Sequence, residues 1–133
     1  MQNPDMYKLF LVVGALLAAL SVALGAFGAH GLKKIADAET VAIYQTGVQY
    51  QMYHALALIL VGLLAERMSS GLLGSAGFFF IGGVVLFSGS LYLISSFKAM
   101  NKLVPAGIGI LTPIGGLLFI IGWVLLLIAL VRK

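Results

Sequence analysis

Four long apolar runs, with nearly every charge held in the short stretches between and beyond them, constrain this chain more than any other feature. An α-helix needs about 20 residues, at about 1.5 Å each, to cross hydrocarbon. Backbone in lipid must pair its own N–H and C=O groups, so such runs become helices. The runs lie at about 9–29, 46–65, 72–97 and 103–131 of 133 residues. The expected fold class is therefore an all-α membrane protein, a four-transmembrane-helix bundle forming one domain over 1–133. Charged residues make up 9% of the chain, against roughly 25% in a soluble domain. That excludes a soluble globular fold, a disordered chain and a nucleic-acid-binding module. The net charge of +4 sits where it meets lipid headgroups. With no cysteine, disulfides, thiolate metal sites and cysteine nucleophiles are excluded, and the redox compartment is left undetermined.

The ends of the runs carry the local signals. Asn3-Pro4-Asp5 reads as a helix start, with Asn as cap, Pro in the first turn and Asp at the positive end. Lys8 before an apolar stretch raises a signal peptide, but no cleavable site follows, and the segment reads as a retained span. Glu66-Arg67 cannot lie cheaply in hydrocarbon and mark one end of the second run. Counting back about 20 residues reaches Thr46 and draws Gln49, Tyr50, Gln51, Tyr53 and His54 into the membrane. The loop from His30 to about Ile43 is the longest, and its second half can join the second helix with Asp37 or Thr40 as cap. In the fourth run Pro113 lacks an amide hydrogen, so a kink or break is expected near Thr112-Pro113. Both termini share one side. The basic residues tie at four on each side, and Lys8 close to the first span favours cytoplasmic termini.

Lipid is as apolar as leucine, so association of the helices rests on close approach of small residues. The first helix carries Gly14, Ala18, Ser21, Gly25 and Gly28 as one seam. The third carries Ser75, Gly82 and Gly89, and the fourth Gly109, Pro113 and Gly116. Gly25 to Gly31 is no phosphate loop: no strand precedes it, and the Lys-Ser/Thr pair is missing.

A polar constellation is the candidate site. Gly47, Tyr50, Gln51 and His54 share a face at i, i+3, i+4 and i+7, and Gln45 and Gln49 continue a neighbouring stripe. Polar groups at membrane depth need partners, so this face should point inward, toward Ser88, Tyr92 and Ser95 of the third helix and Thr112 of the fourth. The cluster expected to bind a ligand or lie buried is His30, Gln45, Tyr50, Gln51, His54, Ser88, Tyr92 and Thr112. For His54 a structural hydrogen bond, a ligand contact or proton relay, and a metal or haem role all stand open. His30 reads as a helix-end cap, and the tyrosines as interfacial or core packing. Two histidines without a cysteine or a deep carboxylate fall short of a zinc site, and their difference in depth, roughly 10 Å, argues against a shared haem. No metal and no cofactor is expected. No carboxylate lies deep enough to orient a histidine, so catalysis has the least support.

Taken together, Leu24-Gly25-Ala26-Phe27-Gly28-Ala29-His30, Gln45 to Gln51 with His54, Leu86 to Tyr92, Thr112-Pro113-Ile114-Gly115-Gly116 and Gly122-Trp123 resemble the YwdK/YgdD-type family of small bacterial inner-membrane proteins. The blocks reach all four helices. The resemblance implies a four-helix protein of the bacterial plasma membrane and brings no reaction, substrate or catalytic residue with it. Two functional classes follow. In the first, a non-enzymatic bundle binds or passes a small amphiphile (a lipid, a quinone or a hydrophobic metabolite) at its internal polar face. In the second, a structural or accessory subunit acts through contact with another membrane protein. The expected partners are membrane lipid, that amphiphile, and a second copy or another membrane protein; nucleic acid is not among them.

Overall fold

The computed structural model describes residues 4–132. Four helices account for nearly all of them: α1 (Asp5–Ile35), α2 (Ala38–Arg67), α3 (Gly71–Ala99) and α4 (Ala106–Val131). All four are long and apolar enough to cross a membrane, and no strand occurs among the described residues. At about 1.5 Å per residue even α4 exceeds the roughly 30 Å hydrocarbon core, so tilt or protruding ends follow. Connections are short, and successive helices run in opposite directions. α2 and α4 therefore point the same way.

Local chemistry sets the helix ends. Asp37 caps α2, its carboxylate accepting from the Thr40 amide at 2.8 Å. Of the two candidate caps for this helix Asp37 is the one used, and α2 starts eight residues ahead of the run that hydropathy marks out. Hydrogen bonding with the Thr40 side chain first, and this backbone bond second, holds the Asp37 carboxyl below its ordinary value of 3.8. Ser70 caps α3 through Leu72 N–H at 3.3 Å. α3 ends in a left-handed Asn101 (φ 57°), with Lys102 N–H reaching Phe97 O and Asn101 N–H reaching Lys98 O, the crossed pair of bonds of a Schellman turn. The expected cap at Asn3 falls outside the described residues.

Two expectations about helix shape need correction. Of the kink or break expected near Thr112-Pro113, the break does not occur: α4 is one continuous helix with Pro113 inside it. Residue 109, whose carbonyl the proline ring crowds, is a glycine with open space around it, so the turn can absorb the ring. The irregular turns lie elsewhere, as π turns at Gly28–Leu32 in α1 and Val84–Ser88 in α3. His30 does not end the first helix. It lies exposed within the first of these π turns, and α1 continues to Ile35.

Packing is pairwise. α1 lies along α2, α3 lies along α4, and α2 and α3 join the pairs. The main core gathers Phe10, Leu58, Val61, Leu73, Phe80, Phe119 and Leu126. A smaller cluster of Leu32, Val41 and Tyr44 holds the other end. The α1 seam meets α2: a Cβ on Gly14 would lie 2.8 Å from Ala55 O, and one on Gly28 would lie 2.6 Å from the Tyr44 ring. Ser21 is buried, Ala18 is partly buried, and Gly25 has looser contact with Val48. The expected seams of the other pair are displaced. Gly89 and Gly109 face open space, Gly116 is in ordinary contact with Phe87, and a Cβ on Gly82 would lie 3.3 Å from the tip of Leu118. The close approach runs through Gly83, Gly115 and Gly122. At Gly115 a Cβ would come within 2.3 Å of the Phe87 backbone nitrogen. Seven residues separate Gly115 from Gly122, so both lie on one stripe of α4. On α3 the buried stripe is Ala76, Gly83 and Ser90, one residue on from the expected Ser75, Gly82 and Gly89 at every step.

Candidate functional site

The structure divides the expected polar constellation into two parts with different surroundings. The first ties helices together. Gln51 donates to Leu17 O of α1 at 2.9 Å and accepts from the Tyr92 hydroxyl of α3 at 2.6 Å. One side chain thus joins three helices. Ser88, within the π turn, donates to Gly47 O at 2.7 Å, and Ser90 and Thr112 share a bond of 2.5 Å between α3 and α4. Tyr44 donates to Leu24 O at 2.6 Å. Ser95 turns back on Leu91 O of its own helix. Among the described residues no buried side-chain polar atom lacks a partner. Gln51, Ser88, Tyr92 and Thr112 are thereby committed to helix contacts. Ser90 and Tyr44 belong with them, although sequence reasoning misses both. Ser90 lies two residues from Ser88 and would face elsewhere on a regular helix, and Tyr44 has the composition of an interfacial ring.

Gln45 and His30 stand outside both parts, and both are exposed. Each sits near the helix ends on the side away from the termini, where a polar group meets headgroups without needing a protein partner.

The second part is a cleft between α2 and α4, floored by α3. Tyr50, His54, Phe87, Pro113, Gly116, Leu117, Phe119, Ile120 and Trp123 enclose about 550 Å³. His54 lies about midway along α2 and is 3% exposed. Its Nδ1 lies 2.8 Å from Tyr50 O, and its Nε2 accepts from the Trp123 indole N–H at 3.0 Å. Indole nitrogen only donates and a backbone carbonyl only accepts, so the proton is assigned to Nδ1 and the ring is neutral. Phe119 stacks on the imidazole at 3.6 Å between centroids with 8° between planes. Phe80 and Trp123 close the remaining sides. Tyr50 packs on Phe87 at 4.6 Å, and its hydroxyl makes no hydrogen bond with a described residue. Leu117, Ile120 and Trp123 are 55%, 61% and 43% exposed, so the cleft opens sideways, toward where lipid lies. Phe119 and Trp123 escape sequence reasoning because aromatic residues in an apolar helix are expected to pack. The signal within reach was that Trp123 is the chain's single tryptophan and lies far from either end of its helix, where membrane tryptophans gather.

No group of three or more His, Asp or Glu that could hold a metal occurs among the described residues. The site's chemistry is that of an apolar, ring-walled recess with two polar points, the Tyr50 hydroxyl and the His54–Trp123 pair.

Fold and site together define a small multi-pass α-helical membrane protein with an aromatic recess open to the bilayer. Residues 24–116 match the sequence profile of the family described as protein of unknown function, DUF423, and the chain belongs to that family. It is 46% identical to the UPF0382 membrane protein YwdK of Bacillus subtilis over 127 residues, 94% of this chain and 98% of that protein. It is 43% identical to the UPF0382 membrane protein SAB0533 of Staphylococcus aureus over 125 residues, 92% of this chain and 94% of that one. The family likeness carried by the sequence blocks thus holds, and the chain is a membrane protein of an uncharacterised family. No solved structure matches it.

Proposed function

We propose that this protein is a non-enzymatic bundle of the bacterial plasma membrane that takes a small, flat-bodied amphiphile of the quinone type from the bilayer into the α2–α4 cleft. One observation carries the proposal: a recess of about 550 Å³ at mid-depth, walled by Tyr50, His54, Phe87, Phe119 and Trp123, opens to the lipid side. Recesses of this size suit small ligands, and aromatic walls suit flat ones. The Tyr50 hydroxyl, which bonds no described residue, offers a donor for a carbonyl oxygen. The expected internal polar face has no room for this role, because its groups already bond to one another; the binding surface moves to the side of the bundle. Both termini are placed in the cytoplasm on this reading.

The single tryptophan makes the test direct, since all indole fluorescence comes from the cleft. A decyl-substituted quinone titrated into detergent-solubilised protein should quench Trp123 saturably. Gly116 lines the cleft, and a Cβ there would meet nothing closer than 3.7 Å, so Gly116→Leu fills the recess without forcing helices apart. That variant should need about tenfold more quinone, the effect of roughly 1.4 kcal/mol. Linear, unsaturable quenching that is equal in both proteins means partition into the micelle alone and removes the proposal.

The accessory-subunit reading has its own support, because the interior is fully hydrogen-bonded and α1 leaves Leu9, Val12, Leu16, Leu20 and Phe27 uncovered. Native mass spectrometry from gentle detergent separates the two, through a retained small molecule on one side and a retained protein partner on the other.

A further inference from the structure

A second cavity lies at the end of the bundle that carries the termini, apart from the aromatic cleft. Arg67, Met68, Ser69, Ser70, Leu72 and Arg132 are among its walls, and it encloses about 670 Å³. Its composition is unlike the rest of the surface. Two arginines, both exposed, come from the far ends of two different helices, α2 and α4, and line one recess with two serines between them. Neither arginine forms an ion pair with a described residue. Glu66, next to Arg67 in sequence, is exposed and does not line the cavity. The contrast is with the opposite side of the bundle, where Lys98 reaches Glu39 at 3.6 Å. The floor of the cavity is apolar, built from Leu72 and Ala129. A ligand that fits is anionic at one end, matched to planar guanidinium donors, and apolar at the other.

We propose that this recess binds the phosphate headgroup of an anionic phospholipid from the leaflet on the side of the termini. A phosphodiester oxygen pair suits two guanidinium forks, the serine hydroxyls extend the donor set, and the glycerol and first methylenes lie on Leu72 and Ala129. Free phosphate shares the headgroup chemistry but leaves the apolar floor unmatched. The site is independent of the quinone-type reading of the aromatic cleft, from which it is separated along α4 by the step from Trp123 to Ala129, about 9 Å of helix.

The test is lipid competition followed by native mass spectrometry on the full chain, with dioleoylphosphatidylglycerol, dioleoylphosphatidylcholine and inorganic phosphate as probes. The wild type should hold phosphatidylglycerol in preference to phosphatidylcholine. Arg67→Gln with Arg132→Gln should lower that preference by about 30-fold, from about fivefold for each basic residue near an anionic headgroup. Arg67→Lys with Arg132→Lys, which keeps the charge, should retain most of it. Lys98→Gln with Lys102→Gln, on the other side, should leave it unchanged. Equal preference in the glutamine and wild-type proteins, or an equal loss in the Lys98 and Lys102 variant, overturns the site. Thermal stabilisation by inorganic phosphate as large as by phosphatidylglycerol overturns the lipid assignment. A quinone titration of the glutamine variant should match the wild type, so failure here and failure of the aromatic cleft are told apart.

Discussion

His54 shows how much a single residue's surroundings decide. Its two ring nitrogens have opposite tasks, Nδ1 donating to Tyr50 O and Nε2 accepting from Trp123. Protonation would set two N–H groups against each other at Trp123, so the ring serves here as a neutral bridge between α2 and α4. His54→Leu removes that bridge, and loss of one interhelical bond in a membrane costs about 0.5–1.7 kcal/mol. Thermal melting in detergent should show a drop of that order while the helices persist; an unchanged melt would mean the bond contributes nothing to holding α4. Gly115 is the opposite case, with no chemistry and a strict limit on size. A side chain there meets Phe87 backbone rather than a movable ring tip. Gly115→Leu should therefore cost about 3 kcal/mol or more, at the upper end for overpacking. Gly109→Leu, in open space, should stay within about 0.5 kcal/mol. Comparing the two melts checks whether the α3–α4 interface runs where the structure puts it.

At the scale of elements, the α1–α2 contact makes a graded prediction. Gly28 lies against a buried tyrosine ring and Gly25 against one methyl of Val48. Leu at either position should destabilise the bundle by about 1–3 kcal/mol, with Gly28 at the higher end. Equal melting temperatures for both variants and wild type would place the seam toward lipid. The start of α2 adds a pH dependence. The Thr40 bonds lower the Asp37 carboxyl below 3.8 in the folded protein. A depressed folded value gives stability that is present above the unfolded value and lost as pH falls through the folded one. The wild type should lose stability below about pH 4. Asp37→Asn keeps a capping side chain without a titrating proton. The stability difference between the wild type and this variant should be flat above that pH and shrink below it; a difference that does not vary with pH would show that the cap carries no charge effect. The π turns were beyond sequence reasoning for a physical reason. A π turn inserts one residue into a helix whose composition stays apolar throughout, so hydropathy does not register it.

For the whole molecule, the two sides of the bundle differ in how they hold their basic residues. The basic residues tie between the two sides, yet they are not equivalent in place. On one side Lys98 is paired with Glu39, and on the other Arg67 and Arg132 line a recess with no ion pair to a described residue. Anionic lipid concentrates in the cytoplasmic leaflet, which favours putting the arginine side, and hence both termini, there. Fluorescent-protein fusions that mature only in the cytoplasm should light up at either terminus. Fusions that are dark at both, with active alkaline phosphatase in their place, would reverse the orientation.

Sequence alone determined the class of molecule. The length of four apolar runs and the confinement of charge between them require membrane-crossing helices, because an unpaired backbone in lipid is too costly. The α1 seam, the start of α2 at Asp37 and the polar face of Gln51 and His54 were also legible, since each depends on spacing along one helix or on a local cap. What faces that polar face was legible only in part: Tyr92 and Ser88 of α3 meet Gln51 and Gly47 as expected, but the partners on α1 and α4 were not foreseen. Gln51 bonds α1 and α3 while His54, three residues on, bonds Trp123 of α4, and both follow from how helices separated by tens of residues rotate and pair. The lateral cleft and the arginine recess have the same origin. They are spaces between helices, and no single helix contains either.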